Sequence, residues 1–351
     1  MNTFEINGRK IGNGCEPFII AEAGINHNGD MNLAKQMVLA AKDAGAEAVK
    51  FQTFHAEEFI QDTAITYTYK SQGKEVTESM LEMFKRNEFS VDEWKELKEF
   101  CDQQQVVFLS TPQNVSDLKL LLNVGIKAIK VGSDDFVNIP LVRRYSEEGL
   151  PMFLSCGMAK EEEIERTIDT VKKNSRSPIV LFLCTSQYPT PPEDVNISKL
   201  ITLKERYPEL VLGFSDHTQG VEAAIMAIAL GASVFEKHFT LSHNMPGPDH
   251  WFSAEPSELE TWVSSIRRAY KMVGSCELKP TEKERSMREI AHRSITAIKE
   301  INKGEIFSND NIGMRRPGGG LPGSKWDEVI GKVAKRVLQE GKQVAWEDIC
   351  G

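Results

Sequence analysis

The sequence lacks several features that would each point to a particular class of protein. It has no apolar run near the ~20 residues that a membrane span needs, and its six cysteines include no C-x-x-C pair. The scattered cysteines argue against a zinc knuckle or a disulfide scaffold and indicate reduced thiols. The N-terminus has no basic-then-apolar signal peptide order, and Asn2 excludes the myristoylation pattern. We therefore expect a cytoplasmic protein.

Basic residues are also fewer than acidic residues. Lys and Arg total 42 against 51 Asp and Glu, which gives a net charge of −9, and the charges are interspersed along the chain. A protein that held nucleic acid or a membrane surface would carry basic patches. We expect neither partner.

What the first 240 residues do contain is a regular alternation of two patterns. Short β-branched or aromatic runs are separated by longer segments in which apolar positions recur at helical spacing. The predicted strands are 18–23, 46–53, 106–110, 127–132, 151–156, 179–184, 211–215 and 233–238. The predicted helices between them include 31–44, 91–104, 115–124, 161–174 and 220–230. This alternation favours an α/β fold of the (β/α)8 TIM barrel type, with an open doubly wound sheet as the alternative.

The last part of the chain differs in character. After a predicted helix at 256–272, a charged segment containing proline is typical of a linker, which we place at 281–290. Short strand candidates at 294–297, 312–314 and 344–345 alternate with turns, so residues 291–351 are predicted to form a small β-rich domain. The barrel domain is predicted to occupy residues 1–280.

Polar residues end the predicted barrel strands, where the active sites of such barrels lie. His217 and His238 follow two different strands, and two imidazoles suit a Mn²⁺, Co²⁺ or Zn²⁺ ion that polarises a carbonyl oxygen. The simpler interpretation is that each histidine is a hydrogen-bonded residue at a strand end. The shared placement favours the metal.

Two lysines lie inside otherwise apolar strand patterns, where an ammonium group is costly to bury without an anion. Together with nearby hydroxyls they predict a phosphate site, formed by Lys50, Lys130, Ser133, Ser155 and Ser215. A Schiff-base lysine is the alternative chemistry and needs a neutral amine. Pairing of each lysine with an acidic residue is the structural alternative.

Two carboxylates complete the candidate set. Glu22 follows a buried run and precedes a glycine-rich loop, which suits a general acid or base. Asp249 lies in a loop fixed by Pro and Gly just beyond His238, a position that suits the binding of sugar hydroxyls, although loop aspartates more often cap turns.

At this point the chain resembles the sialic acid synthase family, whose members condense phosphoenolpyruvate with a sugar to make nonulosonic acids. The resemblance covers nearly the whole chain and implies a barrel followed by an antifreeze-protein-like (SAF, β-clip) domain. The stretches that carry it are IIAEAGINHNGD (19–30), VKFQTF (49–54), FLSTP (108–112), IKVGSDD (129–135), LSCGMA (154–159), CTSQYPTPPEDVN (184–196), GFSDHTQG (213–220), EKHFT (236–240), PGPDH (246–250) and RRPGGG (315–320).

The resemblance implies a role for each candidate residue. His217 and His238 would hold a divalent metal, with Mn²⁺ as the first choice and Mg²⁺ or Co²⁺ as alternatives, that activates the aldehyde of an N-acylated sugar. The residues for phosphoenolpyruvate would be Lys50, Thr111, Lys130, Ser133, Ser155 and Ser215. The residues for the sugar and water would be Glu22, Gln52, Asp135, Tyr188 and Asp249. Arg316 would reach into the barrel of a partner subunit, which implies a domain-swapped homodimer.

Two departures from the family pattern fall on the sugar side. The family often has asparagine where this chain has Ser186, and phenylalanine where it has Gln113. N-acetylmannosamine, giving N-acetylneuraminate, is the default acceptor. A 2,4-diacetamido-2,4,6-trideoxymannose giving N,N'-diacetyllegionaminate is the alternative, and a 6-phosphorylated sugar lacks an additional basic cluster. A Schiff-base pyruvate aldolase and a non-catalytic sugar-binding protein are the more distant alternatives.

Overall fold

The structure is a computed structural model that describes residues 3–62 and 64–350. The chain divides into two compact units, Met1–Gly274 and Ser275–Gly351. Over the described residues, the strands are β1 (Thr3–Ile6), β2 (Arg9–Gly12), β3 (Phe18–Gly24), β4 (Ala48–Thr53), β5 (Thr66–Ser71), β6 (Lys74–Ser79), β7 (Val107–Pro112), β8 (Ile129–Val131), β9 (Met152–Ser155), β10 (Ile179–Cys184), β11 (Val211–Asp216), β12 (Val234–His238), β13 (Ser294–Ala297) and β14 (Ile312–Arg315). The α-helices of the same residues are α1 (Met31–Asp43), α2 (Ala56–Phe59), α3 (Met80–Lys85), α4 (Val91–Gln103), α5 (Val115–Val124), α6 (Ile139–Ser146), α7 (Glu161–Asn174), α8 (Lys199–Arg206), α9 (Glu222–Ala229), α10 (Pro256–Val273), α11 (Glu282–Ala291) and α12 (Trp326–Val329).

The first unit is a TIM barrel, as the alternation of patterns predicts. Eight strands of its described part form one parallel sheet in the order β7-β4-β3-β12-β11-β10-β9-β8. The strands at the two ends of this order, β7 and β8, lie beside each other, so the sheet curls round until it nearly closes. All eight predicted strands are present, with ends that differ by at most two residues. The doubly wound alternative is wrong.

Two apolar cores position the polar end of this barrel. One lies inside the barrel, where residues such as Phe18, Phe153 and Phe182 fill the interior, and the β1–β2 hairpin adds Ile6 and Ile11 to it. The other lies between the strands and the surrounding helices. Because side chains alternate along a strand, each barrel strand is buried on both faces. The carboxyl ends of the strands are left to carry the polar residues.

The helices begin and end where their sequence signals indicate. Asn114 and Asp117 form a capping box at the start of α5, and Gly125 ends it in the left-handed conformation with φ of 92°. All the helices predicted from apolar spacing are present, while α6 and α8, of eight residues each, are additional.

An insertion between β4 and α4 is the largest addition to the predicted barrel. It contains α2, α3 and the antiparallel β5–β6 hairpin. The turn of the hairpin is held to the segment after β12: the Gln72 side-chain amide donates to the Asn244 carbonyl at 2.8 Å, and the Gly247 amide donates to Ser71 Oγ at 3.1 Å. These bonds fix the hairpin at the carboxyl ends of the strands.

The second unit has its own core around β13 and β14, which pair antiparallel, and residues such as Ile295, Phe307 and Val329 fill it. The segment predicted as a linker at 281–290 is mostly helical, because Thr281 and Glu284 form a capping box that starts α11. The boundary between the units lies at 274/275, ahead of the predicted 280. The predicted strand at 344–345 is wrong: neither residue lies in a strand, and the preceding residue, Gln343, forms an isolated bridge with Thr296. No helix within the described residues has the length and apolar character of a membrane span.

Candidate active site

A cavity of about 1170 Å³ opens at the carboxyl ends of the barrel strands. Strand register brings its central residues side by side, because Glu22 on β3 pairs with Lys50 on β4 and with His238 on β12. The predicted site residues that line it are Glu22, Lys50, Gln52, Thr111, Lys130, Ser133, Ser155, Tyr188, His217, His238 and Asp249. Predicted site residues at the carboxyl ends of all eight barrel strands therefore line one cavity.

Two buried lysines and two buried glutamates form a charge cluster on the cavity floor. Lys50 Nζ lies 2.7 Å from Glu22 Oε2 and 3.9 Å from Glu236 Oε2, and it donates to Thr111 Oγ1 at 3.2 Å. Lys130 Nζ lies 3.1 Å from Glu236 Oε1. All four charged side chains are at most 5% exposed. Such burial is tolerated because each charge has an opposite partner.

The two glutamates have opposite pKa shifts. Burial, reinforced by the charge of Glu236, raises the pKa of Glu22 to about 7, although Lys50 opposes the shift. Burial also disfavours ionisation of Glu236, but Lys130 and Lys50 outweigh it and lower the pKa of that carboxyl. When two carboxyl groups share one site, their pKa values move apart in this way, because ionisation of one disfavours ionisation of the other. Glu22 is therefore the group able to exchange a proton near neutral pH.

Hydroxyl groups near the cluster provide free hydrogen-bonding capacity. The Oγ atoms of Ser155 and Ser186 are buried without a hydrogen-bond partner, and the Gly157 amide donates to Ser133 Oγ at 3.2 Å. A Cβ atom at Gly157 would lie 2.4 Å from Ser186 Oγ and 2.5 Å from Ser133 Oγ. Glycine at this position lets the two hydroxyls converge. Free hydroxyls beside ammonium groups suit an oxyanion.

The two candidate metal ligands face each other, with ring centroids 5.5 Å apart. The His217 Nδ1–H donates to the Thr185 carbonyl at 2.7 Å, and its Nε2 lies 3.3 Å from Ser215 Oγ. Burial and the nearby His217 lower the pKa of His238 well below its usual value, and its Nδ1 has no partner. Burial opposes protonation of His217, but the hydrogen bonds to Cys184 and to the Thr185 carbonyl raise its pKa above the usual value. A divalent metal binds the neutral imidazole, so it would displace the proton of a charged His217.

Within residues 3–62 and 64–350, no three His, Cys, Asp or Glu side chains form a group that could hold a metal ion. A metal held by the predicted ligands would have the histidine pair as its protein donors, and substrate or water would complete its coordination. That composition suits a Lewis-acid site more than a structural one.

The other side of the cavity is aromatic and acidic. The Tyr188 ring packs on His217, with centroids 4.2 Å apart, and against Phe252 at 5.0 Å. Burial raises the pKa of Asp249 to about 6. Polar groups converge beside Gly24, which has φ of 52°: the position of its absent Cβ is 3.4 Å from Gln52 Nε2 and 3.8 Å from Asp249 Oδ2. The Gln52 amide donates to Glu22 Oε1 at 3.3 Å.

Comparison with known proteins identifies the family to which this chain belongs. Residues 37–277 match the model of the NeuB family, and residues 292–349 match the SAF domain. The chain belongs to the NeuB family. The sialic acid synthase resemblance and the SAF domain predicted from the motifs are thereby confirmed.

Relatives of this NeuB-family chain are named as synthases of nonulosonic acids. It is 38% identical to the N,N'-diacetyllegionaminic acid synthase of Legionella pneumophila over 98% of both chains. It is 39% identical to the enzyme of that name from Campylobacter jejuni, over 93% of this chain and 98% of that one. The crystal structure of a Leptospira borgpetersenii N-acetylneuraminic acid synthetase, in complex with citrate, matches with a TM-score of 0.73 at 36% identity, over 81% of this chain and 94% of that one.

Three predicted site residues of the NeuB-family chain do not line the cavity. Asp135 accepts a hydrogen bond from the Asn138 amide at 2.9 Å in the turn before α6, and its neighbour Asp134 lines the cavity instead. Ser215 lies beneath the lining, where its hydroxyl donates to Glu236 Oε1 at 3.2 Å and its Oγ lies 3.3 Å from His217 Nε2. Arg316 is exposed in the second unit and precedes a cis peptide bond to Pro317. Its predicted reach into a partner barrel stays a prediction.

The cavity also has lining residues that the sequence did not single out. Glu236 lies two residues before His238 on β12, and the period of two along a strand places both on the inner face. The inserted hairpin and its flanking helices supply an outer wall that includes Phe59, Tyr67 and Lys70. Gln113 and Ser186, the two departures from the family pattern, both line the cavity.

Proposed function

We propose that this protein is a nonulosonic acid synthase that joins phosphoenolpyruvate to an N-acylated hexose, consumes water and releases phosphate. The observation that carries the proposal is the buried cluster of Lys50, Lys130, Glu22 and Glu236, which shares one cavity with His217 and His238. It combines cationic groups for an anionic substrate with two imidazoles suited to a metal.

Phosphoenolpyruvate would bind at the lysine side of the cavity. Lys50 and Lys130 supply charge, while Ser133, Ser155 and Thr111 supply hydroxyls for the phosphate and carboxylate oxygens. If both carboxyls of the cluster are ionised, they neutralise the two lysines. Protonation of Glu22 leaves one net positive charge to balance the incoming anion. The Ser215 hydroxyl, bonded to Glu236 Oε1 at 3.2 Å, would fix that carboxylate rather than contact the substrate.

The proposed reaction forms one carbon–carbon bond and breaks one carbon–oxygen bond. C3 of phosphoenolpyruvate attacks the aldehyde carbon of the open-chain sugar, and the aldehyde oxygen takes up a proton to become a hydroxyl. Water adds at C2 and loses one proton, and the C2–O bond to phosphate then breaks while the new C2 hydroxyl gives its proton to the departing phosphate, which leaves the 2-keto acid. His217 and His238 would hold a divalent metal, with Mn²⁺ as first choice and Mg²⁺ or Co²⁺ as alternatives, which supplies Lewis-acid polarisation of the aldehyde.

Glu22 and Asp249 are the proton-handling groups of the proposal. Burial brings the pKa of Glu22 to about 7 and that of Asp249 to about 6, which are values near working pH. Gln52 donates to Glu22 Oε1 and so orients the carboxyl toward the cavity. Groups with such pKa values deliver and remove protons efficiently at neutral pH.

The acceptor is proposed to carry N-acyl substituents. N-acetylmannosamine is the default, and the relatives named N,N'-diacetyllegionaminic acid synthases support 2,4-diacetamido-2,4,6-trideoxymannose as the alternative. Apolar and aromatic residues of the outer wall, such as Phe59 and Phe84, suit methyl and acyl groups. In a domain-swapped homodimer, Arg316 of one subunit would contact the acyl group bound by the other. We place the reaction in the cytoplasm.

The lysine environment argues against a Schiff-base aldolase. The Glu22 and Glu236 carboxylates outweigh the effect of burial on Lys50 and raise its pKa, whereas an amine that forms a Schiff base must be neutral. A non-catalytic sugar-binding protein would have no use for two buried lysines paired with carboxylates.

The test is phosphate release from phosphoenolpyruvate with each of the two sugars, in Mn²⁺ and in EDTA. We expect metal-dependent release and a nonulosonic acid product by mass spectrometry, with the faster sugar identifying the acceptor. With ¹⁸O in the bridging oxygen of phosphoenolpyruvate, the label should leave in phosphate, because the C–O bond breaks.

Two lysine variants, one in the cavity and one on the surface, test the proposed phosphoenolpyruvate site. Lys130→Met should weaken phosphoenolpyruvate binding about tenfold or more, since a charge-assisted hydrogen bond contributes about 1.5–3 kcal/mol. Lys173→Met, on the exposed face of α7, is the matched control and should bind normally. Absence of release with both sugars from folded, Mn²⁺-loaded protein, or trapping of a pyruvate adduct by borohydride, would overturn the proposal.

A further inference from the structure

Two loops that flank the cavity are interlocked by buried side chains. The first follows β3 and contains Asn26, which is 1% exposed, and the second runs from β12 to α10 and contains Ser253, also 1% exposed. The Asn26 side-chain amide donates to the Phe239 carbonyl at 2.9 Å and to Ser253 Oγ at 3.1 Å. Ser253 Oγ in turn donates to the Asp249 carbonyl at 2.6 Å.

The chemistry of these groups fixes the direction of every bond in the chain. The Phe239 carbonyl can only accept, so the nitrogen of the Asn26 amide faces it and supplies both protons. The Asp249 carbonyl can also only accept, so the single hydroxyl proton of Ser253 points to it. Asn26 therefore controls the orientation of the hydroxyl that holds the backbone of Asp249.

We propose that Asn26 is a positioning residue for Asp249 and acts through Ser253. The inference rests on the proposed function, in which Asp249 faces the sugar and water. Glu22 lies two residues before the end of β3, the strand from which the Asn26 loop departs, and the side chains of Glu22, Gln52 and Asp249 converge beside Gly24. The loop that begins beside the Glu22 carboxyl thus holds Asp249 in a fixed position relative to Glu22.

A second contact between the same loops provides a matched control. Asn28 Oδ1 accepts from His250 Nε2 at 3.2 Å, and His250 Nδ1 pairs with Thr240 Oγ1 at 2.6 Å. This contact joins the loops but makes no bond to Ser253 or to the Asp249 carbonyl. Asn28 has φ of 52°, so Asn28→Gly removes the side chain without straining the backbone.

The test is a double-mutant cycle in the full-length, metal-loaded enzyme, with both substrates varied. Asn26→Ala and Ser253→Ala should each raise KM for the sugar at least fivefold and leave KM for phosphoenolpyruvate within twofold. When either change is added to Asp249→Asn, KM for the sugar should rise less than twofold further, because the Asp249 carboxylate is already absent. Asn28→Gly should leave KM for the sugar within twofold in the parent background.

Hydrogen–deuterium exchange gives a readout that needs no turnover. Asn26→Ala and Ser253→Ala should speed exchange at the amides of residues 249–253 at least tenfold, and Asn28→Gly should not. Additive kinetic losses, equal losses for both substrates, or unchanged exchange would overturn the positioning role. A parent protein that binds neither substrate but shows the exchange pattern would overturn the proposed function and leave the loop geometry of the inference intact.

Discussion

Asp216 Oδ2 and Lys237 Nζ lie 3.3 Å apart in a buried ion pair behind the two cavity histidines. Each member precedes one histidine in the chain. Because side chains alternate along β11 and β12, the ion pair lies on the outer face while His217 and His238 face the cavity. Trp262 Nε1 donates to Asp216 at 2.8 Å, and Lys237 donates to the Thr218 carbonyl at 2.6 Å. The two histidine-bearing strand ends are thus tied together from outside.

Asp216→Asn should therefore destabilise the first unit. The change leaves a buried ammonium group without its counter-charge, and breaking a buried pair in this way costs about 3–5 kcal/mol. Urea unfolding measures the loss. Lys237→Met should cost less in the Asp216→Asn background than alone, because the pair is already broken. A loss below about 1 kcal/mol for Asp216→Asn would contradict the structural role of the pair.

Phosphoenolpyruvate binding should be linked to protonation of Glu22. The pKa of Glu22 is about 7, and an incoming anion favours its neutral form, so binding should take up a proton near pH 7.5. Affinity should then fall by up to tenfold per pH unit above pH 7.

Isothermal titration in two buffers of different ionisation enthalpy counts the protons. Glu22→Gln mimics the neutral form, so it should remove the uptake and flatten the pH dependence of binding. Equal proton uptake by the parent and by Glu22→Gln would assign the proton to another group.

The histidine pair predicts a metal effect that can be measured without turnover. Mn²⁺ at 100 times its dissociation constant should stabilise the protein by about 2.7 kcal/mol, provided that it binds the folded state alone. His238→Ala should abolish this stabilisation. His292→Ala, which alters a histidine of the second unit, is the control and should retain it. Thermal unfolding with and without EDTA gives the comparison, and a shift that persists in His238→Ala would place the metal elsewhere.

The barrel was predictable because its signals are local and redundant. Helix α5 was predicted to the residue, since Asn114 and Gly125 mark its two ends. The β5–β6 hairpin is not among the predicted elements because most of its residues are exposed, although Thr66-Tyr67-Thr68-Tyr69 alternates with the period of a strand and Gly73 marks the turn. The same local strand signals predict that Lys50 and His238 lie at the carboxyl ends of strands, where the structure has them.

The errors at the site come from geometry that a single sequence does not encode locally. Whether Asp134 or Asp135 faces the cavity depends on the turn between β8 and α6, where no strand or helix period applies. Glu236 could be predicted from the sequence, because the period of two along a strand places it on the inner face of β12 with His238. Its partners Lys50 and Lys130 come from distant strands, so the charge cluster emerges only when the barrel closes.

His27 lies in an aromatic cage at the start of the loop that follows β3. It is fully buried, and its ring lies 4.4 Å from that of Phe89 and 6.0 Å from that of Phe51. The Gly29 amide donates to His27 Nδ1 at 3.1 Å, so protonation at Nδ1 would break this bond. Burial lowers the pKa of His27 to about 4.

This buried histidine should make the protein sensitive to acid. The pKa of His27 is about 6.5 in the unfolded chain and about 4 in the folded one, so the unfolded state binds the extra proton between these values. Stability should be fully present above pH 6.5 and fall by about 3 kcal/mol as pH drops to 4. His27→Gln should be less stable at pH 7.5 but lose less stability on acidification. Urea unfolding from pH 7.5 to 4.5 measures both slopes, and identical slopes would show that other groups cause the loss.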